Sequence, residues 1–277
     1  MPDQSNEPAE PAPRKPGPES TLATVRAELL EHAMLLLRER GADLSLSAVP
    51  LREVIAHAGV ARTTAYRSLA HDELAPQEVL HRELLTNLLN RSTRDNNYSR
   101  AVEAVAAELD LQQERLASDD IAERTRAVRA LIRAGMNATY YEVAESVDRS
   151  VLTASYGSLR SLRSSSPNDW RYNELVTGER GLAVLFADLY LGLSTMFKQR
   201  LRPEFSIPQF CTAVASLVEG TAMRHGVSDH LEGIKRPTGT DDAMETWTLC
   251  AVGFEGMYML FFEPEDPDNP YADLRRY

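Results

Sequence analysis

Apolar side chains recur at intervals of three and four residues along most of the chain, and no stretch of useful length alternates as a strand would. The first helical stretch starts at Thr21 and carries Leu22, Val25 and Leu29 on one face. A fourth helix should begin near Asp72. Later helices are predicted at 99–117, 120–147, 149–163, 179–200, 208–225 and 242–262. This periodicity predicts an all-α fold.

The two ends of the chain differ in composition from the rest. Residues 1–20 hold six prolines and almost no large apolar side chains, which predicts a disordered tail. Residues 263–277 hold three prolines and should form an irregular tail. Between the tails we expect a small three-helix domain at 21–80 and a larger helical domain at 81–262.

Charge and cysteine usage limit the classes of protein that fit. The net charge of −11 argues against a general polyanion binder, so any nucleic-acid contact needs a local basic patch. Two cysteines, Cys211 and Cys250, give neither a disulfide framework nor a zinc spacing and favour a reducing cytoplasm. The most apolar stretch, Leu182 to Phe197, is short for a membrane span and carries Asp188, so we expect a buried helix.

Two short helical patterns separated by a glycine occupy residues 51–69, which is the arrangement of a helix-turn-helix. Pro50 suits the first turn of the leading helix, and Gly59 suits the turn. The following helix would run from Arg62 to Leu69 with Ala65 and Leu69 facing inward. The side chains that we expect to contact DNA are Arg52, Arg62, Thr63, Thr64, Tyr66 and Arg67.

These residue types suit a major groove. Arginine can donate two hydrogen bonds to a guanine edge, threonine offers a hydroxyl and a methyl, and tyrosine can reach a phosphate. Residues 50–71 hold three arginines and one acid, a local charge of +2. The alternative is that this helix is only a solvated basic surface.

The run Ala58-Gly59-Val60, followed by Arg62, Thr64, Tyr66 and Arg67, resembles the signature of the tetracycline-repressor family of transcriptional regulators. The resemblance covers about residues 22–80, and Asp72-Glu73-Leu74 is similar to the start of that family's fourth helix. The sequence departs from the family's usual pattern at Ala61, Ala65, Leu69 and Asp72. Alanine at position 61 caps a helix poorly, and an acid at position 72 would repel phosphate.

The resemblance implies a homodimer that binds a pseudo-palindromic double-stranded DNA operator. In the family, the last two long helices pair with their copies, and here these are 208–225 and 242–262. The second is apolar almost all round from Trp247 onward, which calls for cover on more than one face. A single thick monomeric core is the alternative. The dimer interface is predicted to include Phe210, Val214, Leu217, Trp247, Phe254 and Tyr258.

The family also implies a small-molecule effector held between central helices. Tyr140, Tyr141 and Trp170 are the aromatic side chains that we expect to line such a site, although aromatic side chains at this density more often belong to a plain core. No cofactor and no metal are expected. His225 and His230 flank Asp229, but a separation of five residues does not stack two histidines on one helix face.

Three functions remain open. The first is a DNA-binding transcriptional regulator, most simply a repressor, whose operator affinity is controlled by an effector bound in the C-terminal helical domain. The second is the same fold used as a protein-interaction module with weak or lost DNA binding. The third is a helical enzyme with a buried site. The sequence contains neither a phosphate-binding loop nor a nucleophile motif that would support it. We therefore expect no enzymatic activity.

Overall fold

The computed structural model describes residues 18–40, 49–94, 99–159, 169–238 and 243–264. Most of these residues are helical, which confirms the predicted helical class. In chain order the helices are α1 (Pro18–Arg40), α2 (Leu51–Ala58), α3 (Arg62–Ser68), α4 (Pro76–Arg94), α5 (Ser99–Ala117), α6 (Ile121–Ala144), α7 (Val147–Leu159), α8 (Trp170–Met196), α9 (Ile207–Ala222) and α10 (Leu249–Phe261).

Four short strands form two antiparallel pairs. Strand β1 (Gln199–Leu201) pairs with β4 (Phe262–Pro264), and Arg200 stands opposite Glu263. Strand β2 (Ile234–Pro237) pairs with β3 (Met244–Trp247). The chain divides into two compact units, one with the described residues up to Leu84 and the other from Leu85 onward.

In the first unit, α1 packs against both α2 and α3. Leu29, Ala33, Val54, Ala65 and Leu69 are fully buried and form the centre of this packing. The start of α4 is tied to the start of α2 by one side chain. Gln77 accepts a hydrogen bond from the backbone N–H of Leu51 at 2.5 Å and donates one to the carbonyl of Val49 at 3.1 Å.

The second unit is built around α6, α8, α9 and α10. Its core is strongly aromatic, with Tyr140, Phe210 and Trp247 fully buried and Phe254 and Tyr258 nearly so. The Phe210 ring lies edge-on to Tyr190, with 5.0 Å between ring centroids, an arrangement that aromatic pairs prefer. Among the described helices, none is long and apolar enough to cross a membrane.

Several predicted helix ends were wrong. The first helix begins at Pro18 rather than Thr21, so the last three residues of the predicted disordered tail are helical, and residues 1–17 lie outside the described residues. The fourth helix begins at Pro76, not near Asp72. Helix α8 begins nine residues before the predicted start at 179, because Asp169 caps it by accepting a hydrogen bond from the Arg171 N–H. Helix α5 spans the predicted residues 99–117.

The strands were not predicted, and they correct two boundaries. The helix predicted at 242–262 begins only at Leu249, where Thr248 caps it and accepts a hydrogen bond from the Ala251 N–H. Met244–Trp247 is a strand instead. Glu263 and Pro264 belong to β4 rather than to an irregular tail, and the rest of that predicted tail lies outside the described residues.

Candidate functional site

Two short helices, α2 and α3, meet at a turn that the sequence explains. Gly59 adopts a left-handed backbone conformation with φ of 64°, which costs glycine little because it has no Cβ. The Gly59 N–H donates a hydrogen bond to the Ala56 carbonyl, and the Val60 N–H donates one to the Ile55 carbonyl. These two hydrogen bonds end α2. Helix α3 starts after Ala61, which provides no side-chain cap. The turn therefore fixes the direction in which α3 leaves.

Helix α3 has a buried side and a polar exposed side. Ala65 and Leu69 are fully buried, as predicted from their spacing. The side chains of Arg62, Thr63 and Arg67 are exposed. Helix α3 has no acidic residue in its first turn. The result is a helix with a positively charged exposed face, anchored by the buried side chains on its opposite face.

The remaining predicted DNA contacts lie around this face. Tyr66 is 40% exposed, and the Arg62 guanidinium lies over its ring at 5.3 Å from the centroid. Thr64 is partly buried. On α2, the side chain of Arg52 is 86% exposed, with a guanidinium nitrogen 3.9 Å from the carboxylate of Glu53. Five of the six predicted side chains are thus exposed on one unit, and the sixth is partly buried.

Acidic residues follow α3 directly. Asp72 and Glu73 are both exposed in the bend before α4. The backbone N–H of Glu73 donates a hydrogen bond to Nδ1 of His71 at 3.1 Å. Asp72 therefore lies four residues before α4 rather than in its first turn, and its carboxylate is too far along the chain to stabilise that helix end.

The second unit contains a cavity of about 340 Å³. Helices α5, α6, α8, α9 and α10 line most of it with apolar side chains such as Ile132, Met136, Phe186, Val214 and Phe254, and α7 adds one side chain. A cavity of this size and character is typical of small-molecule sites. It opens on the surface beside α5 and α8, where the lining residues Val102 and Leu189 are 61% and 46% exposed.

Three charged side chains lie at one end of this cavity. Arg149, on α7, is buried, and its guanidinium lies 4.0 Å from the carboxylate of Glu219 on α9. Glu179, on α8, also lines the cavity and accepts a hydrogen bond from the Tyr156 hydroxyl. Burial raises the pKa of Glu219, as does the nearby Glu179, whereas Arg149 lowers it. We refer to Arg149, Glu179 and Glu219 as the charged end.

Tyr258 is the notable polar group elsewhere in the cavity wall. Its side chain is 4% exposed, and its hydroxyl has no hydrogen-bond partner among the described residues. Burial raises the pKa of this phenol well above its usual range. A buried polar group without a partner costs about 1–3 kcal/mol, which makes the Tyr258 hydroxyl a natural contact for a bound molecule.

The aromatic residues predicted to line an effector site do not line this cavity. Tyr140 is buried, and its hydroxyl lies 3.0 Å from Nδ1 of His225 and 3.3 Å from Glu232. Burial raises the pKa of Tyr140 to about 12. Tyr141 donates a 2.9 Å hydrogen bond to Glu232, so both tyrosines attach α6 to the segment after α9. Trp170 packs against the separate cluster of Leu85, Leu89, Leu152 and Leu175.

The predicted dimer residues are also placed differently from expectation. Phe210, Val214, Trp247, Phe254 and Tyr258 are at most 5% exposed in a single chain, and Leu217 is partly buried. Their own chain covers them, so they are not available to a partner without opening the core. The apolar side chains of α10 that were predicted to meet a partner pack into the core of their own chain.

Sequence reasoning missed the charged end of the cavity, although one signal for it was present. Glu219 is the lone charged residue in α9, whose other residues are apolar or small and polar. A single carboxylate within such a helix indicates a specific polar environment, because an ionised group is costly to bury. Arg149 and Glu179 gave no comparable signal, since charged residues surround both in sequence.

Comparison of the chain with protein-family models, with curated proteins and with solved structures found no match. The similarity of residues 22–80 to the tetracycline-repressor signature therefore stays a sequence-based expectation.

Proposed function

We propose that this protein is a DNA-binding transcriptional regulator that reads its operator with α3. The observation that carries the proposal is the two-sided character of α3, which buries Ala65 and Leu69 and exposes Arg62, Thr63 and Arg67. A short helix presenting arginine and hydroxyl groups next to a glycine turn has the shape and chemistry to enter a major groove. The tetracycline-repressor resemblance adds the expectation of a pseudo-palindromic site.

The test is selection of genomic fragments on the purified full chain at low salt, followed by sequencing and footprinting of the enriched duplexes. We expect a small set of fragments that share an inverted repeat. Repetition at higher salt separates specific from general binding, because phosphate contacts weaken steeply as salt rises. Recovery of no enriched sequence at any salt concentration would overturn the proposal.

The second candidate is a protein-interaction module with weak or lost DNA binding. The exposed carboxylates of Asp72 and Glu73 next to α3, together with a net charge of −11, favour it. The same selection discriminates between the two candidates. A protein-interaction module would enrich no fragment, whereas a regulator with a local basic face would enrich a defined one.

We further propose that the regulator is a homodimer, with an interface on α8 in place of the predicted residues. Val184, Leu185, Leu191 and Met196 are between 45% and 66% exposed along that helix, and the exposed Asp188 lies among them. Gly192 lies between them, and no neighbouring atom stands within 4 Å of the position that a Cβ would take there. Clustered exposed apolar side chains of this kind mark an interaction surface, and glycine lets a partner helix approach closely.

Sedimentation analysis of Leu191→Glu tests the dimer. The variant should shift a dimeric parent toward the monomer mass, because a carboxylate would be buried at the contact. The matched control is Leu111→Glu on α5, where the parent leucine is 76% exposed. A parent chain that sediments as a monomer at micromolar concentration would rule out the homodimer.

The cavity of the second unit is the proposed effector site, and the two buried free thiols of Cys211 and Cys250 fit the proposed cytoplasmic location. An effector would bind among α5, α6, α8, α9 and α10 and alter operator affinity only if it binds the DNA-competent state differently. Its effect is measured as the change in operator affinity at saturating ligand.

A further inference from the structure

The charged end and the Tyr258 hydroxyl stand far apart in the cavity wall. The Tyr258 ring lies 6.4 Å from that of Phe210, which is in the first turn of α9. Glu219 stands nine residues later on the same helix, a distance of about 13 Å at 1.5 Å per residue. Between them the wall is mostly apolar, with Val214, Ala215 and Val218 lining the cavity from α9 beside the hydroxyl-bearing Thr212. A molecule that fills this space has a long apolar body with two different ends.

The charged end favours a positive group. Arg149 contributes one positive charge, and Glu179 and Glu219 contribute one negative charge each when ionised, so the formal sum is −1. Arg149 already stands 4.0 Å from Glu219. A ligand carboxylate would meet two carboxylates there, whereas a ligand ammonium would reduce the repulsion between them. Such attraction is stronger at a partly buried site than in water.

We propose that the cavity binds an elongated amphiphilic cation, with its ammonium group between Glu179 and Glu219 and its far end at the Tyr258 hydroxyl. A far end that carries a hydrogen-bonding group gives the buried phenol its partner. The inference rests on the proposed function only in naming this molecule the effector. Binding itself is measured without DNA, so the two ideas fail separately.

The test uses four straight ten-carbon probes below their micelle-forming concentrations: decylamine, 10-amino-1-decanol, 1-decanol and decanoate. Isothermal titration calorimetry on the full chain measures their affinities. Decylamine should bind at least about tenfold more tightly than 1-decanol, a difference of about 1.4 kcal/mol, and decanoate should bind most weakly. Equal binding of decylamine and 1-decanol, tighter binding of decanoate, or no binding of any probe would overturn the proposal.

Two variants locate the two ends. Glu219→Gln keeps the shape of the side chain and should remove most of the preference for decylamine over 1-decanol. Tyr258→Phe should weaken 10-amino-1-decanol, whose hydroxyl loses its partner, and leave decylamine unchanged. A preference for the cation that survives Glu219→Gln, or an effect of Tyr258→Phe on both amines alike, would contradict the assignment of that end.

Two further variants separate binding in the cavity from binding elsewhere. Glu114→Gln removes an exposed carboxylate from α5 away from the cavity lining and should change no affinity. Ala106→Trp fills an exposed part of the cavity lining and should weaken all four probes. Retention of full decylamine binding by Ala106→Trp would place the cation outside the cavity. Circular dichroism melting of each variant shows that the fold is intact.

Discussion

The Nε atom of Arg129 donates a 2.7 Å hydrogen bond to Oε1 of Glu255, a carboxylate whose side chain is 6% exposed. Arg236 binds the other oxygen of the same carboxylate. The Arg236 guanidinium also lies over the ring of Trp247, 4.7 Å from its centroid. One buried acid thus joins α6, the β2–β3 pair and α10.

Replacement of Glu255 with Ala should destabilise the fold strongly. The variant leaves two largely buried arginines without their common partner, and breaking a buried pair from one side costs about 3–5 kcal/mol. Urea unfolding followed by circular dichroism gives the free energy of unfolding. Glu145→Ala, which breaks the exposed pair with Arg100, is the control and should leave that free energy unchanged within error. Equal effects of the two variants would show that the Glu255 network contributes little.

Replacement of Arg62 or Arg67 with Ala should weaken operator binding and leave the fold intact. Both side chains are exposed on α3, so their removal creates no cavity. If either arginine pairs with a base edge, the loss should be about 1–3 kcal/mol, with relaxed specificity at one base pair. Fluorescence anisotropy on the selected operator measures it, with Arg224→Ala, an exposed arginine of the second unit, as control. Unchanged binding by both α3 variants would assign readout to another element.

Replacement of Asp72 with Lys should strengthen DNA binding. If Asp72 lies near the backbone of the duplex, a repulsion becomes an attraction, and each newly neutralised phosphate adds about 0.9 to the magnitude of the log–log salt slope. Because Asp72 is exposed and precedes α4 by four residues, the free energy of unfolding should stay within about 0.5 kcal/mol. An unchanged affinity and slope between 50 and 200 mM salt would favour the protein-interaction alternative.

Local patterns predicted the helices that have clear periodicity and strong end signals. Helix α5 was predicted in full, and the turn at Gly59 was predicted from one residue whose conformational freedom is unusual. The strands were not predicted, because each has only three or four residues and forms only by pairing with another segment of the chain. Arg200 pairs with Glu263, and nothing in either local sequence indicates the other.

The candidate site was predictable only where all of its residues belong to one helix. The exposed face of α3 follows from the spacing of Ala65 and Leu69. The cavity does not, because side chains from six of the described helices line it and it depends on what their packing leaves unfilled. That their own chain buries most of the predicted dimer residues was not predictable for the same reason. An apolar face on α10 indicates that something covers it, but the sequence does not indicate whether that cover comes from its own chain.

The affinity for decylamine should rise with pH in the range where Glu219 ionises. Burial and the neighbouring Glu179 raise the pKa of Glu219 above the ordinary value of 4.5, while Arg149 lowers it. The Tyr156 hydroxyl donates a hydrogen bond to Glu179. The ligand's ammonium group, like that of lysine, stays protonated throughout this range. A cation attracts the ionised carboxylate, so binding lowers the pKa of Glu219 and releases a proton.

In the ligand-free protein, the contribution of Glu219 to folding stability falls as pH rises, whereas the affinity for decylamine rises. A carboxyl whose pKa is raised on folding contributes stability that is complete below the unfolded value and is lost as pH rises through the folded value. Decylamine should therefore stabilise the fold most where Glu219 is ionised. Calorimetry from pH 4.5 upward, in two buffers that differ in ionisation enthalpy, measures both affinity and released protons. In Glu219→Gln the proton release should disappear and the affinity should become less dependent on pH, whereas unchanged proton release would assign the titration to another group.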